Sequence, residues 1–376
     1  MKKLISLFLV LLALTSCETT EAPMAPERIS LFEMGEDGSK FYRIPALVKA
    51  ADGALVAVAD KRGDALGDLP NIITIVSKRS TDGGKTWSDM SIVAKGDTVA
   101  KCGYGDAVVI ADEVKGYLVA VFSGNNGLWH SNESSLIRTY ASTSTDSGKT
   151  WGEVKDITDQ VYGGVYGEGT RHGLFTGSGS GVQLKHGEHA GRLMLVVAAR
   201  NDASWGGTLS NYAVYSDDGG QSWQVSKNAA CTNGDEAKVV ELNNGDILMS
   251  IRTAGKRWYN ISHDGGITWN ETTSEWDDLI GPACNGDLIR YDENTLLHSL
   301  PKGDSRRDVA IYISKDEGKT WNEGKVIVPR YSAYSSLCVL PDKTIGMFVE
   351  EREVDTTSYE MVFYRFPIEY LEAMNQ

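Results

Sequence analysis

The segment STDGGKTW, residues 80–87, returns four more times along the chain, as STDSGKTW (144–151), SDDGGQSW (216–223), SHDGGITW (262–269) and SKDEGKTW (314–321). All five fit the pattern S-x-D-x-G-x-x-W. That pattern is the chemistry of a tight turn. Its aspartate accepts backbone N–H bonds, its glycine admits a positive φ, and its tryptophan packs beneath the turn. A strand-like run precedes each copy, for example NIITIVSKR (71–79), SNYAVY (210–215) and DVAIYI (308–313). Each copy therefore reads as a hairpin between two outer strands of a small antiparallel sheet, and its carboxylate as scaffolding rather than as an acid or metal site.

A second series alternates with the first. GALVAVAD (53–60), GYLVAVFS (116–123), GRLMLVVAAR (191–200), GDILMSIR (245–252), NTLLHSLP (294–301) and KTIGMFVE (343–350) are near-continuous apolar runs, each after a turn residue. Runs apolar on both faces suit central strands buried between layers. Six such strands with five hairpin turns predict an all-β fold, a six-bladed β-propeller with Asp-box hairpin turns, one turn being lost in the least regular blade. No helical pattern of useful length is expected after residue 27, apart from a short turn at the C-terminus.

The chain has 376 residues and a formal charge of −14, with Gly at 40 positions. The glycine count fits a folded protein rich in turns. The acidity argues against a nucleic-acid partner, which needs a broad basic face. An anionic ligand must therefore be met by a local cluster of cations. Cys102, Cys231, Cys284 and Cys338 are scattered, with no C-x-x-C spacing, and the six histidines show no metal-like spacing, so no metal site is expected.

At the N-terminus, Lys2 and Lys3 precede an apolar run from Leu4 to Leu14, and LTSC follows at 14–17. The run is too short for a mature membrane span and reads as a signal peptide, with Cys17 placed as the lipidated residue of a bacterial lipoprotein. The expected organisation is a lipoprotein-type signal peptide over 1–17 with lipobox Cys17, a flexible tether over 18–28, and the propeller over 29–376. It implies an exported bacterial lipoprotein of the cell envelope, attached to a membrane only through a lipid on Cys17.

Against this scaffold the charges on inner strands stand out. FYRIPAL (41–47) sets Arg43 in an apolar run, where a guanidinium is costly unless it meets an anion. Arg252 ends the fourth central run, Arg306 and Arg307 precede the fifth hairpin, and Glu350 ends the sixth run. Inner-strand ends converge near a propeller axis, so three arginines from three blades are expected at one point. Either Arg306 or Arg307 fits the third place.

The R-I-P segment, the repeated S-x-D-x-G-x-x-W turns and the spaced arginines resemble bacterial exo-α-sialidases (neuraminidases), over the stretch from about Ser30 to about Ile368. The resemblance implies that three arginines clasp the carboxylate of a terminal sialic acid. Matched motif by motif these are Arg43, Arg252 and Arg306, with Arg307 as the fallback. Arg62 flanks that pocket, and Glu350 holds Arg43 in place. It also implies a tyrosine nucleophile, which avoids the repulsion that a carboxylate would meet at this substrate. Tyr334, in YSAYSSL (331–337), matches; Tyr331 is read as packing. The partner that accepts the tyrosine proton is Glu236, chosen over Asp235 and Glu241. The acid/base is Asp68, in KRGDALGDLPN (61–71), chosen over Asp60 and Asp64. Trp129 and Phe175 are candidates for an apolar acyl pocket, and His130 and His172 receive no role. The implied activity is retaining hydrolysis of terminal sialic acids from glycoproteins, glycolipids and oligosaccharides through a tyrosyl-enzyme intermediate, without a cofactor. The alternatives are a trans-sialidase, including intramolecular transfer, a non-catalytic sialic-acid-binding propeller, or an Asp-turn propeller that organises other proteins.

Overall fold

A computed structural model describes residues 24–63, 65–355 and 358–373. The signal peptide, Cys17, most of the tether and Asp64 lie outside the described residues. The strands form six blades on a four-stranded antiparallel plan. In blade 3 the first strand is split into Leu174–Thr176 and Val182–Gln183, and Gly179–Ser180 between them pairs in parallel with Tyr104–Asp112 of blade 2. Blade 1 is Tyr42–Lys49, Leu55–Lys61, Thr74–Ser80 and Ser91–Ala94. Blade 2 is built on Tyr104–Asp112 and Tyr117–Asn125, blade 3 on Leu193–Arg200 and Leu209–Ser216, blade 4 on Ala237–Glu241 and Ile247–Ile251. One long strand, Lys325–Val339, serves blade 5 as its last strand and blade 6 as its first, pairing with Arg307–Ser314 and then with Ile345–Arg352. The six apolar runs are the second strands of the six blades.

The core shows why those runs are apolar on both faces. Six hydrophobic clusters occupy the six seams between neighbouring blades. Val58, Ile75, Val109 and Phe122 join blades 1 and 2. Val121, Leu195 and Val214 join blades 2 and 3, and Val196, Ala213 and Met249 join blades 3 and 4. Leu248 and Leu296 join blades 4 and 5, and Ile311 and Met347 join blades 5 and 6. Leu55, Phe348 and Phe363 close the ring between blades 6 and 1. A strand inside a blade thus feeds two seams, one per face, and each fully buried Leu, Ile or Phe contributes on the order of 1.5–3 kcal/mol.

The hairpin motif performs the chemistry expected of it. In the first copy, the Ser80 hydroxyl donates to Asp82 at 2.8 Å, and the Thr86 N–H and hydroxyl donate to the two Asp82 oxygens at 2.9 and 2.6 Å. Gly84, at φ 89°, accommodates both the turn and its neighbour, because a Cβ there would lie 2.3 Å from the Phe363 ring of blade 6. The same Ser–Asp–Thr/Ser bonding recurs at Asp146, Asp218, Asp264 and Asp316. Each motif is both a turn and a contact with the preceding blade in the ring.

Three expectations need correction. The sixth hairpin is not lost through irregularity. The third and fourth strands of blade 6 are Glu360–Phe366 and the N-terminal strand Glu27–Phe32, so the place of the sixth turn is where the two ends of the chain meet. That closing strand begins at Glu27, two residues inside the stretch read as tether, and Arg28 is fixed by ion pairs to Glu351 and Glu360 at 2.8 and 2.6 Å. A helix, Thr158–Tyr166, also stands where none was expected. It carries two glycines and no side-chain cap, and tertiary contact holds it: Val161 and Tyr162 are buried, and a Cβ on Gly164 would lie 2.5 Å from Val225. The expected C-terminal turn is the helix Ile368–Glu372.

Strand direction separates the two ends of the ring. In blade 1, Arg43 pairs with Asp60 and Asp60 with Ile75, whereas Lys49 pairs with Leu55 and Leu55 with Ser80. The hairpin motifs therefore lie at one end and the conspicuous charges at the other.

Candidate active site

Innermost strands enter the charged end through breaks in their pairing. In Tyr42–Lys49 the register slips between Arg43 and Ala46, and Ile44 sits at φ 61°. That conformation is rare for a β-branched residue and marks a bulge that re-aims its neighbours. The bulge turns Arg43 onto Glu350, whose two oxygens accept from Nε and Nη2 at 3.0 and 2.9 Å. Glu350 is fully buried and also accepts from the backbone N–H groups of Ile44 at 2.8 Å and Tyr334 at 3.3 Å. Such a bidentate, charge-assisted pair fixes a guanidinium in direction as well as in position.

Blade 6 breaks register in the same way between Ser332 and Ser335, which brings Tyr334 to the cavity floor. The Tyr334 hydroxyl donates to Glu236 Oε2 at 2.8 Å and accepts from Arg252 Nη1 at 2.9 Å. Arg252 also pairs directly with Glu236, and its Nε lies 3.4 Å from Asp235. Burial raises the pKa of Glu236 above the ordinary glutamate range, against the pull of Arg252. Burial, and then the charge of Glu236, pushes Tyr334 well above an ordinary tyrosine. The arrangement is a protonated phenol hydrogen-bonded to a carboxylate more basic than usual, the pairing that proton removal during nucleophilic attack requires.

Arg306 and Arg307 diverge. Arg306 lines the cavity, donates to the Ala283 carbonyl at 3.2 Å and lies 5.4 Å from the centre of the Tyr334 ring. Arg307 turns away to Asp308 at 2.9 Å and packs over Tyr331. Asp68 reaches the cavity on the loop after the first central strand, largely exposed, and is held by Arg62 at 2.7 Å. Arg62 itself is buried. It bonds Asp60, Asp68 and the Leu66 carbonyl and is not among the cavity-lining side chains, so it positions the loop rather than flanking the carboxylate pocket.

Two acidic residues were missed or passed over. Asp106 lines the cavity from a blade 2 bulge, with φ 57° and a register slip between Gly105 and Val108. Burial, with Asp60 and Asp68 nearby, pushes its pKa well above the ordinary aspartate value. Burial likewise raises Asp60 to about 6, against Arg62. A carboxylate within GDAVVI, an otherwise apolar run, was the available signal for Asp106.

The cavity is about 420 Å³ and falls within the range of small-molecule sites. Leu128, Trp129, Ile137, Phe175, Trp205 and Leu209 line its other side. Glu241 lies away from it and accepts from the backbone N–H groups of Lys185 and His186. Among the described residues Cys102, Cys231, Cys284 and Cys338 are free thiols.

A six-bladed propeller with S-x-D-x-G-x-x-W clasps and a multi-arginine cavity defines a class, and comparison with known proteins narrows it. The family model for the BNR repeat-like domain matches residues 44–353. A sialidase of Micromonospora viridifaciens is 33% identical over 338 residues, covering 84% of this chain and 50% of that protein. A sialidase of Bacteroides fragilis is 30% identical over 345 residues, covering 84% of this chain and 61% of that one. Among solved structures, the Hadza microbial sialidase Hz136 superposes with a TM-score of 0.80 at 27% identity, over 92% of this chain and 69% of that chain. The chain belongs to the sialidase family. It spans about half the length of the Micromonospora relative.

Proposed function

We propose that the protein is an exo-α-sialidase that removes terminal sialic acids from glycans with retention. The observation that carries this reading is the Tyr334–Glu236 hydrogen bond of 2.8 Å beneath a cavity that Arg43, Arg252 and Arg306 share. In the proposed mechanism the three guanidiniums hold the sugar carboxylate, and Glu350 holds Arg43. Asp68 protonates the glycosidic oxygen as the Tyr334 oxygen bonds to the anomeric carbon and Glu236 accepts the phenolic proton. Asp68 then takes a proton from water, whose oxygen displaces the tyrosine, and Glu236 returns the proton to it. The neutral nucleophile suits an anomeric carbon that carries an anionic substituent. We propose further that a lipid on Cys17 tethers the protein to the cell envelope; the LTSC pattern after the apolar leader supports this.

Proton NMR of the first-formed product from an α-sialoside tests the reading. Retention predicts the α anomer first, mutarotating later. The β anomer first would exclude the tyrosyl route, and an anhydro sugar formed without water would place intramolecular transfer ahead. The pH profile gives a second test. Glu236 must be ionised to accept the proton, so the rate falls as pH falls through its raised pKa. The acid limb of kcat/KM should therefore lie above about pH 4.3, where an unperturbed glutamate titrates. A limb at or below that value would contradict the assignment of Glu236 as base.

A further inference from the structure

Across the cavity from the arginines stands an aromatic wall with a built support. Arg200 ends the second strand of blade 3 and is 3% exposed. Its guanidinium donates to the carbonyls of Leu128 at 3.1 Å, Ser131 at 3.0 Å and His172 and Ser204 at 3.3 Å. It also lies under the Trp129 ring, 5.4 Å from the centroid. One buried cation thus joins the blade 2 turn that carries Trp129 to the blade 3 loop that carries Trp205. Asp202 accepts from the Ser204 N–H at 2.7 Å and holds the same loop from the other side. Trp205 is nonetheless 67% exposed, edge-on to His130 at 4.8 Å and 6.5 Å from Trp129. A tryptophan that touches its neighbours on one side and leaves most of its surface to water at a cavity rim is suited to ligand contact.

The ring order says which part of a ligand reaches it. Arg43, Arg252, Arg306 and Tyr334 come from blades 1, 4, 5 and 6, and the wall from blades 2 and 3. This step rests on the sialidase reading. A sugar whose carboxylate meets the arginines, with its anomeric carbon over Tyr334, directs its N-acyl group and its three-carbon tail at the wall. The leaving group departs beside Asp68 in blade 1. One N-acyl methyl occupies only part of a wall of six apolar side chains, and the bare hydroxyls of the tail gain little from an indole face.

We propose that the Trp129–Trp205 wall recognises an acyl ester on the tail of the sugar, making O-acylated sialosides substrates. The test compares an umbelliferyl α-sialoside with the same compound acetylated on its terminal tail hydroxyl, in the wild-type chain, Trp205→Ala and Trp205→Phe. The expected result is that the wild type cleaves both. The ratio of kcat/KM for the acetylated over the parent compound should fall about tenfold in Trp205→Ala and largely recover in Trp205→Phe. An unchanged ratio, an equal loss on both substrates, or a wild type that cleaves only the parent would overturn the proposal while leaving the sialidase reading intact. Cleavage of neither substrate would overturn both.

Discussion

Replacing Tyr334 by phenylalanine is expected to reduce release of umbelliferone from its α-sialoside by roughly 10³-fold, about 4 kcal/mol of transition-state stabilisation. The substitution is nearly isosteric. It keeps the ring over which Arg43 and Arg306 lie, at 5.3 and 5.4 Å from its centre, and removes only the hydroxyl that bonds Glu236 and Arg252. Binding of free sialic acid should therefore persist, and the loss should fall on kcat. A kcat within tenfold of wild type would remove Tyr334 from the reaction.

Glu350→Leu should destabilise the fold by about 3–5 kcal/mol, because removing one member of a buried ion pair leaves the other charge uncompensated. Arg43, with only 13% of its side chain exposed, would lose both of its bonds to Glu350, and the Ile44 and Tyr334 N–H groups would lose an acceptor. Glu350→Gln keeps one acceptor oxygen and should fall between Leu and wild type. Denaturant unfolding measures the effect, and a loss below about 1 kcal/mol would show that Arg43 finds another anion. Substrate carboxylate offers such an anion, so sialic acid should stabilise Glu350→Gln more than it stabilises wild type.

The fold was readable because its repeating parts are local. A hairpin closed by Ser80, Asp82 and Thr86 carries its Ser–Asp–Thr hydrogen bonding within seven residues, and a strand such as 55–61 betrays two buried faces by composition alone. Ring closure was not readable, since it depends on Glu27–Phe32 meeting Glu360–Phe366 more than 300 positions away. The helix Thr158–Tyr166 escaped because tertiary contact rather than propensity holds it. Within the candidate site, Arg43 announced itself as a cation among apolar residues. Asp106 carried the same signal with opposite charge and was not singled out; it lines the cavity from a bulge with backbone at φ 57°. Residue pattern alone did not separate Arg306 from Arg307, because the loop that turns one to the cavity and the other to Asp308 is not a local pattern; the family resemblance pointed to Arg306.

The strand that completes blade 6 also determines how the molecule can be held. Glu27 pairs with Arg365, near the first hairpin motif, and the strand then runs toward the cavity end. Chain leading into Glu27 thus arrives at the back of the disc. Under the lipid attachment proposed above, a leash joined there would hold the protein like a dish hung from its base, with the bowl facing away from the anchor. In that arrangement the attachment would lie on the face opposite the cavity mouth, out of the path of a ligand entering it.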